Sequence, residues 1–161
     1  MQRTLEDINA NDIALEVAHR ALFRLHSLMN LYIGAHQIFP KAENTEVYRL
    51  TYKLCKFAKG EGIIEFPVLH YVDFYSALHS SENVNWDNNL SYVLRVAKAR
   101  ERLLTAHTVI VAELTLLSDI GHDVILRKLQ AGEVKGQQIA GQWNVSATEA
   151  TRWLESLGRP G

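Results

Sequence analysis

The most informative stretch of this 161-residue sequence is residues 136–157, which read GQQIAGQWNVSATEATRWLESL. Its second half is typical of a helix. Ser146 is a residue type that caps helix N-termini, and Glu149 follows it at the three-residue spacing of a capping box. The apolar residues beyond them recur at helical spacing: Ala150, Trp153, Leu154 and Leu157. We therefore expect a helix that begins just after Ser146 and packs its apolar face on another element.

The first half of the same stretch favours an earlier helix that ends in a sharp turn. Ala140 is small enough for a crossing helix to approach, and the apolar Ile139 and Trp143 flank it. Asn144 tolerates the left-handed backbone that a sharp turn requires, and the apolar Val145 is placed to fill the turn. The succession of small residue, turn, apolar plug, cap and amphipathic helix resembles a helix-turn-helix unit. A further helix predicted over residues 123–132 would complete its apolar core.

Three helices are predicted in the first eighty residues from the spacing of apolar side chains. The first extends to Ile33, with Asn11 or Asp12 as its cap. Thr45 is placed to cap the second, and Pro67 suits the first turn of the third.

A fourth and longer helix is predicted to start near Asp87. Apolar residues keep helical register from there for about thirty residues, with no glycine or proline before Gly121. Such a length predicts the central strut of a bundle or one half of a dimer interface. Arg100 and His107 lie within the apolar stripe of this helix. They are either polar residues that set the register of a dimer, or side chains that snorkel or bond to carbonyl groups.

These elements together predict an all-α fold. Residues 1–121 are expected to form a helical bundle with a long central helix, serving for dimerisation or sensing. Residues 122–161 are expected to form a tri-helical unit that resembles a helix-turn-helix.

The resemblance implies sites for DNA. The second helix of such a unit enters the major groove with its first turns against base edges, which here places five residues there: Ser146, Ala147, Thr148, Thr151 and Arg152. Arg152 alone among them can make the bidentate contact to guanine. Four residues around the unit are expected to contact phosphates: Lys135, Gln137, Gln138 and Arg159.

The charge of the chain limits how it could bind DNA. Lys and Arg number 17 against 18 Asp and Glu, a net charge of −1, which excludes a polycationic coat protein. From Asp123 onward five basic and four acidic residues leave a net charge of +1. Because affinity depends on the number of phosphates neutralised, one copy is expected to bind weakly. A homodimer with recognition helices about 34 Å apart would double the contacts.

Other classes of protein find little support in the sequence. The single Cys55 excludes an intramolecular disulfide and a thiolate zinc site. The seven histidines do not form the spacings of a metal centre, and no nucleophile or nucleotide-binding motif occurs, so neither an enzyme nor a cofactor is expected. We find no signal peptide and no membrane span, so a cytoplasmic protein is expected. The aromatic residues of the central part leave room for a small apolar effector.

The function predicted from these features is that of a transcription regulator that binds double-stranded DNA as a homodimer. The alternative is an α-helical protein-interaction or adaptor module, in which the C-terminal hairpin of helices docks on a partner protein.

Overall fold

A computed structural model describes residues 4–32, 40–79 and 88–161 of the chain. The described part is mostly helical, as predicted, but it also contains a small antiparallel sheet. The elements follow in the order α1 Ala10–Tyr32, α2 Glu46–Ala58, α3 Val68–His79, α4 Asn88–Thr105, β1 Thr108–Ile110, α5 Val111–Ser118, α6 His122–Gln130, β2 Gly136–Ile139, β3 Gln142–Ser146 and α7 Ala147–Ser156. Two single 3₁₀ turns, Leu5–Asp7 and Ala42–Asn44, precede α1 and α2.

The N-terminal caps of the first helices have identifiable side chains. Asn9, rather than the predicted Asn11 or Asp12, caps α1: its Oδ1 accepts the backbone N–H groups of Asn11 at 3.2 Å and Asp12 at 3.3 Å. The predicted cap of α2 is confirmed, because Thr45 Oγ1 accepts the N–H of Tyr48 at 3.2 Å. Ile33, the expected end of the first helix, and Asp87, the expected start of the fourth, lie outside the described residues.

The single long fourth helix is wrong. The chain forms α4 and α5 with strand β1 between them. The β-branched residues Thr108, Val109 and Ile110 are stiff at χ1 and fit a pleated strand better than a helix. A new helix starts directly afterwards, where the Ile110 N–H donates to Glu113 Oε2 at 2.9 Å.

The predicted helix over the first half of residues 136–157 is also wrong, because these residues form the β2–β3 hairpin. Strand β3 lies in the middle of the sheet, with β1 on one side and β2 on the other, both antiparallel to it. Ala140 is not a helix crossing point: it and Gly141 form the two-residue turn, with φ of 48° and 80°. Asn144 lies within β3 and not in a left-handed turn. Val145 does fill the core, paired with the equally buried Val109.

Helix α4 is the central strut of the molecule. It lies against α2, α3, α5 and α7. Its buried residues recur on nearly every turn: Leu90, Val93, Leu94, Val96, Ala97, Ala99, Arg100 and Leu103. The same face cannot also be buried against a second copy, so the expectation that this helix forms half of a dimer interface is wrong for its apolar stripe.

Arg100 on this helix bonds to carbonyl groups inside its own chain, which was one of the two alternatives for it. Its Nε donates to the carbonyl of Ala58 at 3.3 Å, and its Nη1 donates to that of Pro160 at 3.1 Å. Burial lowers the pKa of the guanidinium. His107 is exposed, and its carbonyl accepts the N–H of Ala147 at 2.9 Å.

The sheet crosses the predicted boundary between residues 121 and 122. Strand β1 lies before the boundary and pairs with β3 beyond it. One hydrophobic core, moreover, contains side chains from both sides, such as Leu114 and Leu154. Within the described residues, no helix is both long enough and apolar enough to cross a bilayer.

The hairpin turn gives a first testable prediction. An alanine in the left-handed region is strained, whereas Asn-Gly is the sequence that best suits a turn with positive φ at both central residues. We expect Ala140→Asn to raise the free energy of unfolding by about 0.5–1 kcal/mol, measured by urea denaturation. Ala131→Asn is the matched control, because Ala131 is exposed but has a φ of −77°. Equal effects of the two substitutions would contradict the prediction.

Candidate nucleic-acid interface

Helices α5 and α6 are joined by a tight turn of three residues, Asp119 to Gly121. Asp119 has a left-handed backbone with a φ of 58°, and the Oγ of Ser118 accepts the N–H of Ile120 at 3.2 Å. The carbonyl of Gly121 accepts the first N–H groups of α6. Both helices bury apolar residues against the core: Leu114 and Leu117 from α5, and Ile125 and Leu129 from α6. The two helices and their turn thus have the length and packing of a helix-turn-helix.

The carboxylate of Asp119 fixes this turn to distant parts of the chain. The Leu5 N–H donates to both of its oxygens, at 3.0 and 3.1 Å, and Arg159 Nη2 lies 3.1 Å from Oδ2. Burial raises the pKa of the Asp119 carboxyl, while the Leu5 amide and the Arg159 charge oppose that shift. Arg159, which was predicted to contact a phosphate, is thus engaged in an ion pair with the turn.

The outer face of α6 is open to solvent. Its exposed residues are His122, Asp123, Val124, Arg127 and Gln130. Among the described residues no carboxylate pairs with Arg127, whose Nε contacts only the carbonyl of Asp123 at 3.4 Å. Lys128, on the flank of the helix, pairs with Glu133 at 2.6 Å. Arg127 is therefore the cation of α6 that is available to a ligand.

The hairpin follows α6 closely and packs against it. Gly132, with a φ of 75°, ends the helix, and Val134 is buried in the link. A Cβ at Gly136 would lie 2.7 Å from Leu129 Cδ2 and 3.0 Å from the carbonyl oxygen of Asn144. Since real side chains do not tolerate such contacts, only glycine allows β2 to lie this close to α6 and β3.

The tip of the hairpin presents amide and apolar side chains. Alternation along paired strands puts Gln137 and Asn144 on the same outer face as Ile139 and Gln142, opposite the face of the buried Val145. The Nδ2 of Asn144 donates to the carbonyl of Gln142 at 2.9 Å. Residues 136–146 include no charged side chain. Gln137 and Gln138, the predicted phosphate contacts, are both exposed on β2.

Helix α7 matches the sequence prediction for its own residues. Ser146 caps it by accepting the N–H of Glu149 at 3.3 Å. Its buried side chains are Ala150, Trp153 and Leu154, as predicted, whereas Leu157 is exposed. The expected capping box is only half formed, because the Glu149 carboxylate accepts the N–H of Lys135 at 3.0 Å instead of that of Ser146.

The five residues predicted to read bases lie together at the start of α7, but this helix follows a hairpin and not another helix. Ser146 ends β3, and Ala147, Thr148, Thr151 and Arg152 lie on the first turns of α7. Arg152 is held by Glu149, with contacts of 2.6 and 2.9 Å. Sequence reasoning missed the α5–α6 pair, although a left-handed-tolerant Asp119 and a Gly121 between two apolar segments were a readable signal.

No family model, curated protein or solved structure matches this chain. The function is therefore argued from the geometry of the chain itself.

The Glu149 carboxylate gives a prediction of pH dependence. Hydrogen bonds from Arg152 and from the Lys135 amide lower its pKa from 4.5 to about 2. A carboxyl with a lowered folded-state pKa adds stability above its unfolded pKa and loses it as the pH falls through the folded value. We expect Glu149→Gln to destabilise the protein at pH 7, with the difference from wild type shrinking between pH 4.5 and 2.

Urea denaturation at several pH values measures this difference. Glu155→Gln, on the same helix and exposed, is the matched control and should change stability little at any pH. A Glu149→Gln effect that does not vary with pH would show that the carboxylate charge is not what stabilises the hairpin.

Proposed function

We propose that this chain binds double-stranded DNA through helix α6 and the β2–β3 hairpin, and that it acts as a sequence-specific transcription regulator. The observation that carries the proposal is the α5–α6 pair, joined by a three-residue turn and followed directly by a hairpin. This order is typical of DNA-binding units of the winged helix-turn-helix type. The α6 helix is the second of the pair, and such a helix lies in the major groove. No catalytic step is part of the proposal.

The outer face of α6 has side chains suited to base edges. Arg127 can make a bidentate contact to guanine, and Val124 can contact a thymine methyl group. Asp123 can accept from the amino group of cytosine. The proposal thus moves base reading from the five residues around α7 to α6, because α6 is the helix whose outer face is open and whose partner helix precedes it.

A homodimer remains part of the proposal. The cations near the reading surface are few, since Lys128, Arg152 and Arg159 are each paired with a carboxylate. Arg127 and Lys135 are without such a partner among the described residues. Two copies on a pseudo-palindromic site would double the phosphate contacts. The dimer interface would be a surface other than the buried stripe of α4.

Substitution of Arg127 tests the reading helix. Duplexes are first enriched with the wild-type protein from a random-sequence library, and affinity is then measured by fluorescence anisotropy. We expect Arg127→Ala to weaken binding by about 1–3 kcal/mol and to relax the preference at one base pair. Inverted repeats among the enriched duplexes are expected if the protein binds as a symmetric dimer.

Two further arginine variants complete the experiment. Arg20→Ala removes the same charge from an exposed position on α1 and should leave affinity unchanged. Arg152→Ala compares the α7 assignment directly with that of α6. If no duplex is enriched, DNA binding is refuted; if Arg152→Ala costs more than Arg127→Ala, α7 is the reading helix.

A second candidate function is that of a protein-interaction module, and one surface favours it. Exposed apolar side chains lie between α2 and the start of α3: Ile63, Phe66 and Leu69. A groove of about 250 Å³ next to them is lined by Leu50, Phe66, His70, Tyr71 and Phe74. The same groove is where a small apolar effector of a regulator would fit. Loss of a co-purifying partner on Phe66→Ser, with DNA enrichment absent, would favour the adaptor function.

A further inference from the structure

The tip of the hairpin combines an exposed apolar side chain with a complete lack of charge. Ile139 is 50% exposed and is not among the side chains packed on the core. It shares the outer face of the hairpin with three amide side chains: Gln137, Gln142 and Asn144. No Lys or Arg occurs in residues 136–146. Such a tip cannot gain affinity by neutralising phosphates.

Amide and apolar side chains together suit the minor groove. Proteins that bind there use Asn and Gln to read the degenerate pattern of the base edges, and they insert Ile, Leu, Phe, Met or Pro between base steps. The inserted side chain partly unstacks two base pairs and kinks the duplex. An uncharged hairpin with one exposed isoleucine has both kinds of side chain and lacks the cations of a phosphate-binding loop.

We propose that Ile139 inserts between base pairs of the minor groove and bends the DNA. This inference rests on the proposed function, since α6 in the major groove would bring the adjoining hairpin to the DNA. It assigns a distinct task to the hairpin: α6 reads base edges, and the hairpin deforms the duplex. Selectivity then includes flexible pyrimidine–purine steps, which unstack at low cost.

The hairpin is built rigidly enough for a wedge. Ile139 is the last residue of β2 and pairs with Gln142 across a two-residue turn. Gln138 Nε2 donates to the carbonyl of Gly141 at 3.2 Å, which braces the turn. At the base, the close approach of Gly136 to Leu129 and Asn144 fixes the hairpin on α6. A wedge held in this way transmits force to the duplex instead of folding back.

The experiment measures binding and bending on the same DNA. The probe is a duplex enriched by the wild-type protein, with a donor and an acceptor dye at its two ends. Bending shortens the distance between the dyes, so we expect the wild-type protein to raise energy transfer. Ile139→Thr keeps a β-branched residue in the strand but removes the apolar wedge. It should abolish the rise in energy transfer and weaken affinity about tenfold, as expected for the loss of one buried aliphatic side chain.

Two other substitutions control for unrelated effects. Ile139→Leu keeps an apolar wedge and should retain most of the bend. Leu104→Thr changes another exposed apolar residue, 62% exposed on α4, and should alter neither bend nor affinity. If thermal melting shows that Ile139→Thr is unfolded, Ile139→Ala takes its place in the same comparison.

The outcomes separate this inference from the proposed function. Enrichment of no duplex refutes both. A wild-type protein that binds an enriched duplex without bending it refutes the wedge but leaves DNA binding in place. Equal bending by wild type and Ile139→Thr also refutes the wedge, as does loss of bending in Ile139→Leu with its retention in Ile139→Thr.

Discussion

The pairing of β1 with β3 is the constraint on which the rest of the structure depends. It joins Thr108–Ile110 to Asn144–Ser146 and places Val109 against Val145, both fully buried. Because a strand cannot be part of a helix, this pairing ends α4 and lets α5 begin as a separate element. It also provides the central strand to which β2 adds, so that the hairpin is fixed in place. The turn between α5 and α6 lies within the chain segment that this pairing closes.

The possible reading unit is tied to the N-terminal helices at several separated points. The Asp119 carboxylate binds the Leu5 amide, which lies before α1. Arg100 bonds to the last turn of α2 at Ala58 and to Pro160 beyond α7. A Cβ at Gly60 would lie only 2.3 Å from Pro160, so the chain after α7 packs tightly on the end of α2. These contacts make the helices and the sheet parts of one core, and a change in the N-terminal helices would therefore reach the α5–α6 turn directly.

The charge pattern and the shape of the surface explain each other. Most cations of the C-terminal part are paired within the chain, as Arg152 is with Glu149 and Arg159 with Asp119. Pairs of this kind at a surface add little stability, but they reduce the charge that a polyanion would meet. Under the proposed function, affinity would then depend more on groove contacts and on a second copy than on electrostatic attraction. The uncharged hairpin is consistent with that division.

Local signals sufficed where the physics is local. The sequence correctly predicted a mostly helical fold, the Thr45 and Ser146 caps, and the buried face of α7, because capping and helical periodicity depend on residues a few positions apart. The break in the long helix, the hairpin and the α5–α6 pair could not be read with the same certainty. A strand gains its hydrogen bonds from a partner 36 residues away in the case of Val109 and Val145, and Glu149 bonds to Lys135 instead of its own cap. The sequence by itself determined which segments could be helices and which side chains were apolar. Only the tertiary structure decided which of them would pair, because strand pairing depends on what lies alongside and not on what comes next in the chain.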